Sequence, residues 1–183
     1  MNLPTKITIA RIALIPVMVV FYFWSFGNNL NLIVAGLIFG VAAFTDFLDG
    51  HLARSRNQVT DLGKFLDPIA DKVLVVMTLF LIVESRIMPI GIGSIACGII
   101  LGRELIIGAL RQIAAAKSIV LAADKLGKIK TIITNISLPF LIAAPINEII
   151  YYIGFVTFIL AAIMTVISGI NYIYCNRKLF STK

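Results

Sequence analysis

Charge is scarce in this chain: 14% of its 183 residues are Asp, Glu, Lys or Arg, against 60% that are hydrophobic. So little polar surface cannot wrap a water-soluble domain, which excludes that class and points to a protein solvated by lipid. Histidine occurs once, as His51, and reads as an interfacial packing residue. Cysteine occurs twice, at Cys97 and Cys175, near opposite ends of different predicted spans, so the two are expected to be unpaired, inert, buried thiols. Internal repeats, low-complexity runs and domain linkers are also absent. Lys6 and Arg11 precede and enter an apolar run, but no small-residue cleavage site ends it, so it reads as a retained first span. The expectation is a single membrane-embedded domain over residues 1–183.

What the chain has instead is long apolar segments. Six emerge, at roughly Ile7 to Phe26, Leu30 to Arg54, Phe65 to Glu84, Met88 to Ala115, Lys128 to Ala144 and Glu148 to Cys175. Each is close to the roughly 20 apolar residues a spanning helix needs. Turn-forming residues separate them, including Gly27-Asn28-Asn29 and Pro145 with Asn147. These features predict an all-α integral membrane protein, a six-transmembrane-helix bundle. Arg86 alone breaks the pattern that Lys and Arg cluster at the termini, the second-to-third turn and the fourth-to-fifth region, so both termini are expected in the cytoplasm. The net charge of +7 does not form a soluble basic face. Anionic lipids and phosphate ligands are therefore expected partners, and nucleic acid is not. Trp24 and the tyrosines 151, 152, 172 and 174 are expected as interface anchors.

Within this apolar background, Asp46, Asp49, Asp67 and Asp71 stand out. Asp46 and Asp49 lie about 60° apart on one helical face, and Asp67 and Asp71 share a face of the next helix at i and i+4. Two helices joined by a tight turn would aim these pairs at each other. Such repulsion is tolerable only around a cation, and an all-oxygen donor set favours Mg²⁺ or Mn²⁺. Counting about 1.5 Å per residue from the outer turns sets Asp46, Asp71, Arg103 and Arg11 at one level, about 20 to 24 Å in. Charge gathered at one depth implies a shared polar cavity near the cytoplasmic edge of the hydrocarbon, open to a lipid headgroup and a soluble molecule alike.

The spacing D-x-x-D-G-x-x-A-R, eight residues, then G-x-x-x-D-x-x-x-D runs from Asp46 to Asp71, with Gly50, Ala53, Arg54 and Gly63 at the remaining fixed positions. It resembles the signature of the CDP-alcohol phosphatidyltransferases, membrane enzymes that move a phosphatidyl or similar group from a CDP-linked donor to an alcohol. The resemblance implies that Asp46, Asp49, Asp67 and Asp71 hold two divalent ions and that Asp71 is the general base. It also implies that Asp46, Asp49, Gly50, Ala53, Arg54, Gly63 and Asp67 contact the CDP group. The chemistry suits these residue types: paired metals neutralise a departing phosphate, Arg54 can fork onto pyrophosphate, and small residues admit a flat pyrimidine. Family members resemble homodimers, so a homodimer is expected.

Near R-E-L-I-I-G-A-L-R and G-K-I-K-T, the cations Arg11, Arg103, Arg111, Lys125, Lys128 and Lys130 exceed what a donor pyrophosphate requires. They suggest an acceptor carrying its own phosphate. This region and the opening N-L-P-T-K-I-T-I-A-R-I-A-L-I-P are similar to the branch of the family that uses glycerol 3-phosphate, releasing phosphatidylglycerophosphate and CMP on the cytoplasmic side of a bacterial cell membrane. Thr5 stands where that branch usually has Asn, and Ile106-Ile107 where it has a more polar pair. Other acceptors within the family are inositol phosphate, phosphatidylglycerol and serine. Outside it, a cation transporter would use intramembrane carboxylates differently, but transport gives no reason for the spacing of Gly50, Ala53, Arg54 and Gly63. Pro68 fits a helix if that helix starts near Lys64, leaving Pro68 in or near the first turn.

Overall fold

Runs of Ile, Leu, Val, Ala and Phe drive long helices throughout, and these helices run on through Pro16 in the first, Pro68 in the third and Pro139 in the fifth. The computed structural model describes residues 3–25, 29–56, 61–89, 91–116 and 125–177, with side chains described at 7–25, 29–45, 66, 69–89, 91–116 and 125–177. The helices are α1 (Leu3–Phe23), α2 (Leu30–Arg56), α3 (Asp61–Glu84), α4 (Ile92–Ala116), α5 (Lys125–Ile142) and α6 (Glu148–Cys175), with a 3-10 turn at Ala144–Ile146 before α6. Among the described residues there is no strand, in line with the all-α, six-helix expectation.

Helix ends follow local chemistry. α6 spans the predicted range: extended Asn147 caps it, its side-chain oxygen accepting the Ile149 N–H at 2.8 Å, and Glu148 sits in the first turn at the positive end of the dipole. α4 begins at Ile92, four residues later than predicted, because Gly91 adopts φ +88°, which a right-handed helix cannot continue. α5 stops at Ile142, where the chain tightens into the 3-10 turn holding Pro145. α3 begins at Asp61, so Pro68 lies seven residues in, past the first turn where it was expected. Its missing N–H is a gap inside the helix rather than at its end.

α1 packs on α2 and α3, α2 on α5, α5 on α6, α6 on α4, and α4 on α3. The helices thus close a ring in the order α1, α2, α5, α6, α4, α3, with α3 and α5 meeting across it. Met18, Phe39, Ile82, Ile100, Leu138 and Phe158 fill the centre. Large apolar side chains such as Leu37, Phe44, Leu105, Val156 and Ile170 cover the outside, a surface suited to lipid. By length and composition α4 and α6 can each cross a membrane, and residues 7–23 and 30–45 form shorter apolar stretches.

Two close approaches set where α5 lies. A methyl group on Gly154 of α6 would fall 3.0 Å from the Leu141 amide nitrogen, and one on Gly36 of α2 would fall 3.3 Å from the Pro139 carbonyl oxygen. With no side chain in the way, both neighbours press on α5 backbone to backbone. That contact fixes the C-terminal half of α5, where Leu138, Leu141 and Ile142 are buried.

Two expectations are corrected here. Tyr172 is buried rather than anchored at an interface, because its ring faces α4 across the bundle, whereas Trp24, Tyr152 and Tyr174 are exposed. Cys97 is buried, but Cys175 is exposed, since it occupies the last residue of α6 beyond the packed part of the helix.

Candidate active site

Five helix backbones supply the residues singled out from the sequence. α2 carries Asp46, Asp49, Gly50, Ala53 and Arg54, and α3 carries Gly63, Asp67 and Asp71. The two helices pack on each other, so the carboxylate pairs sit on neighbouring elements. Of these residues only Asp71 has a described side chain. The side-chain positions expected for Asp46, Asp49, Gly50, Ala53, Arg54, Gly63 and Asp67 lie outside the described residues.

Asp71 is half-buried and lines a cavity of about 70 Å³ enclosed by α3, α4 and α5. Lys72, Glu104, Lys130, Thr134 and Asn135 share its wall, and Val75, Leu79 and Ile100 close its apolar side. That space has room for more than one water. Its polar lining comes from three helices that meet only because α3 and α5 touch across the ring.

The cation assignment resolves into distinct settings. Lys130, whose side chain is 4% exposed, donates to Glu104 Oε1 from the first turns of α5. Arg103 Nη1 lies 3.4 Å from the same oxygen, and the Arg103 Nε and Nη2 atoms are buried without hydrogen-bond partners. Lys72 reaches across from α3, its Nζ 3.0 Å from where a methyl group on Gly108 would sit, within electrostatic reach of Glu104. Three positive groups therefore surround one carboxylate, which leaves the cluster able to accept a further anion.

Arg111 turns toward α6: its guanidinium lies 5.6 Å from the Tyr172 ring centre, and its Nε donates to the Tyr172 hydroxyl at 3.4 Å. Arg11 is buried in α1, on the α2 and α3 side of the ring. Lys125 and Lys128 are exposed at the start of α5. Of the six predicted cations, Lys130 lines the Asp71 cavity, Arg103 joins it through Glu104, Arg111 faces Tyr172, and Lys125 and Lys128 are exposed.

Lys72, Glu104 and Asn135 were given no role by the sequence reading. One signal was available: Glu104 and Gly108 are four apart on one face of α4, where a carboxylate beside a gap can receive a long cation from another helix.

The profile of the CDP-alcohol phosphatidyltransferase family matches residues 1–167. The chain belongs to this family. Its relatives include the CDP-diacylglycerol–glycerol-3-phosphate 3-phosphatidyltransferase of Rickettsia felis, 34% identical over 182 residues, covering 98% of this chain and 97% of the relative. A protein of the same name from Rickettsia bellii is 35% identical over 182 residues, with the same coverage of each chain. Another from Salmonella choleraesuis is 38% identical over 178 residues, covering 96% of this chain and 95% of the relative.

Proposed function

We propose that this protein transfers a phosphatidyl group from CDP-diacylglycerol to glycerol 3-phosphate, giving phosphatidylglycerophosphate and CMP. The observation that carries the reading is the cavity itself, where a carboxylate able to take a proton, Asp71, shares a wall with a cation cluster able to hold a phosphate. The full-length relatives, named for this reaction, support the choice of donor and acceptor.

In this mechanism the acceptor's phosphate binds among Lys130, Arg103 and Lys72, which turns its free hydroxyl toward Asp71. The hydroxyl oxygen attacks the phosphorus that bears diacylglycerol, its proton passes to the Asp71 carboxylate, and the pyrophosphate bridge breaks to release CMP. Displacement is direct, the acceptor hydroxyl itself serving as the nucleophile. Asp46, Asp49, Asp67 and Asp71 would hold two Mg²⁺ or Mn²⁺ ions. The all-carboxylate donor set on two packed helices fits such hard cations. Bound there, the ions would neutralise the charge that grows on the departing phosphate. Gly50, Ala53, Gly63 and Arg54 would receive the CDP group.

We assign the protein to a bacterial cell membrane, crossed six times, with both termini and the site on the cytoplasmic side. The apolar exterior and the placement of Lys and Arg support this topology. The test is CMP release by purified protein in mixed micelles of CDP-diacylglycerol, with labelled glycerol 3-phosphate offered beside serine, inositol phosphate and phosphatidylglycerol. The expected result is transfer to glycerol 3-phosphate that stops on chelation with EDTA and returns with Mg²⁺ or Mn²⁺. Preferred transfer to a phosphate-free alcohol would contradict the role given to the cations.

A further inference from the structure

Among the described residues of the cavity wall, Asn135 carries a buried side-chain atom that the fold leaves without a partner. Its Oδ1 is buried and has no partner, although buried polar atoms are almost always paired. The neighbouring hydroxyls of α5 do not share this state. Thr131 donates to the Gly127 carbonyl at 3.0 Å, Thr134 to the Lys130 carbonyl at 2.9 Å, and Ser137 to the Thr134 carbonyl at 2.8 Å. Turning the amide over would put its NH₂ group in the same place, and a hydroxyl can pair with either end.

The position relative to Lys130 sets what can pair with it. Asn135 follows Lys130 by five residues, about 7.5 Å of helix rise, and both line the cavity with Asp71. A small phosphorylated polyol held by its phosphate at Lys130 extends that far. We propose that Asn135 determines acceptor specificity by hydrogen-bonding the hydroxyl that does not react, the secondary hydroxyl of glycerol 3-phosphate. This rests on the function proposed above and deepens it: the cations recognise the phosphate, Asp71 meets the reacting hydroxyl, and Asn135 distinguishes a polyol from a simple phosphorylated alcohol. A buried amide left unpaired by the wrong acceptor is what makes such discrimination effective.

The test compares kcat/KM for glycerol 3-phosphate and for 3-hydroxypropyl phosphate, which lacks only the secondary hydroxyl, in the wild type and in Asn135→Leu. The wild type should prefer glycerol 3-phosphate by roughly tenfold, and the variant should lose most of that preference while keeping its rate on the deoxy analogue. An unchanged ratio, or an equal fall on both substrates, would overturn the proposal by assigning Asn135 a packing role. A wild type that uses both acceptors equally overturns it too and leaves the proposed function standing. A wild type that uses neither removes the proposed function and this inference together. Should Asn135→Leu not fold, Asn135→Ala reads the same ratio.

Discussion

Breaking the Glu104–Lys130 pair from its two ends should have unequal consequences. The Lys130 side chain is 4% exposed and donates to Glu104, while the Glu104 side chain is 29% exposed and also has Arg103 3.4 Å away. Glu104→Leu removes the carboxylate to which the buried Lys130 ammonium donates, a change that costs about 3 kcal/mol at the lower end of the range for broken buried pairs. Lys130→Met leaves a carboxylate that retains Arg103 and water, at about 1 kcal/mol. The double variant restores a neutral contact and should lose about 1 kcal/mol, far less than the sum. At roughly 2 to 4 °C per kcal/mol for a chain of this size, Glu104→Leu should lower Tm by about 6 to 12 °C, and Lys130→Met and the double variant by about 2 to 4 °C each. Thermal denaturation in one detergent at one scan rate measures all four proteins on the same footing. Additive losses, or a Lys130→Met variant as damaged as Glu104→Leu, would refute the pairing. The same preparations report function, since both variants lacking Lys130 should show a raised KM for glycerol 3-phosphate.

Replacing Asp71 by Asn should lower kcat by about 10²- to 10⁴-fold while the protein still inserts and folds, as read by CMP release and by elution as a single species; a wild-type rate would remove Asp71 from the chemistry. Gly154→Ala should destabilise by about 1 kcal/mol or more, because the new methyl meets α5 backbone 3.0 Å away, whereas Gly98→Ala, which meets nothing within 4 Å, should be neutral or stabilising by about 0.5 kcal/mol. Equal Tm values for the two alanine variants would contradict the close contact of α5 and α6.

Features confined to one helix were legible without coordinates. The range of α6, the count of helices and the face shared by Asp67 and Asp71 all depend on spacing along a single element, which helical periodicity sets. The family signature is likewise a local pattern, so its residues could be named before any fold was known. Pairings between helices were not legible. Glu104 meets Lys130 across 26 positions, and Arg111 meets Tyr172 across 61, through the order of helices in the ring, on which apolar periodicity is silent. Tyr172 shows the limit: as a tyrosine near a helix end it reads as an interface anchor, and only the approach of α4 makes it a buried partner for an arginine.

The sequence by itself therefore determined an all-helical chain, an apolar exterior, a four-aspartate signature and an excess of cations, since each follows from residue type and local spacing. The tertiary structure decided which cations share a cavity wall with Asp71, which carboxylate holds Lys130, and which amide on that wall is left unpaired. The physical reason is the contact of α3 with α5 across the bundle, which brings residues far apart along the chain to one cavity wall.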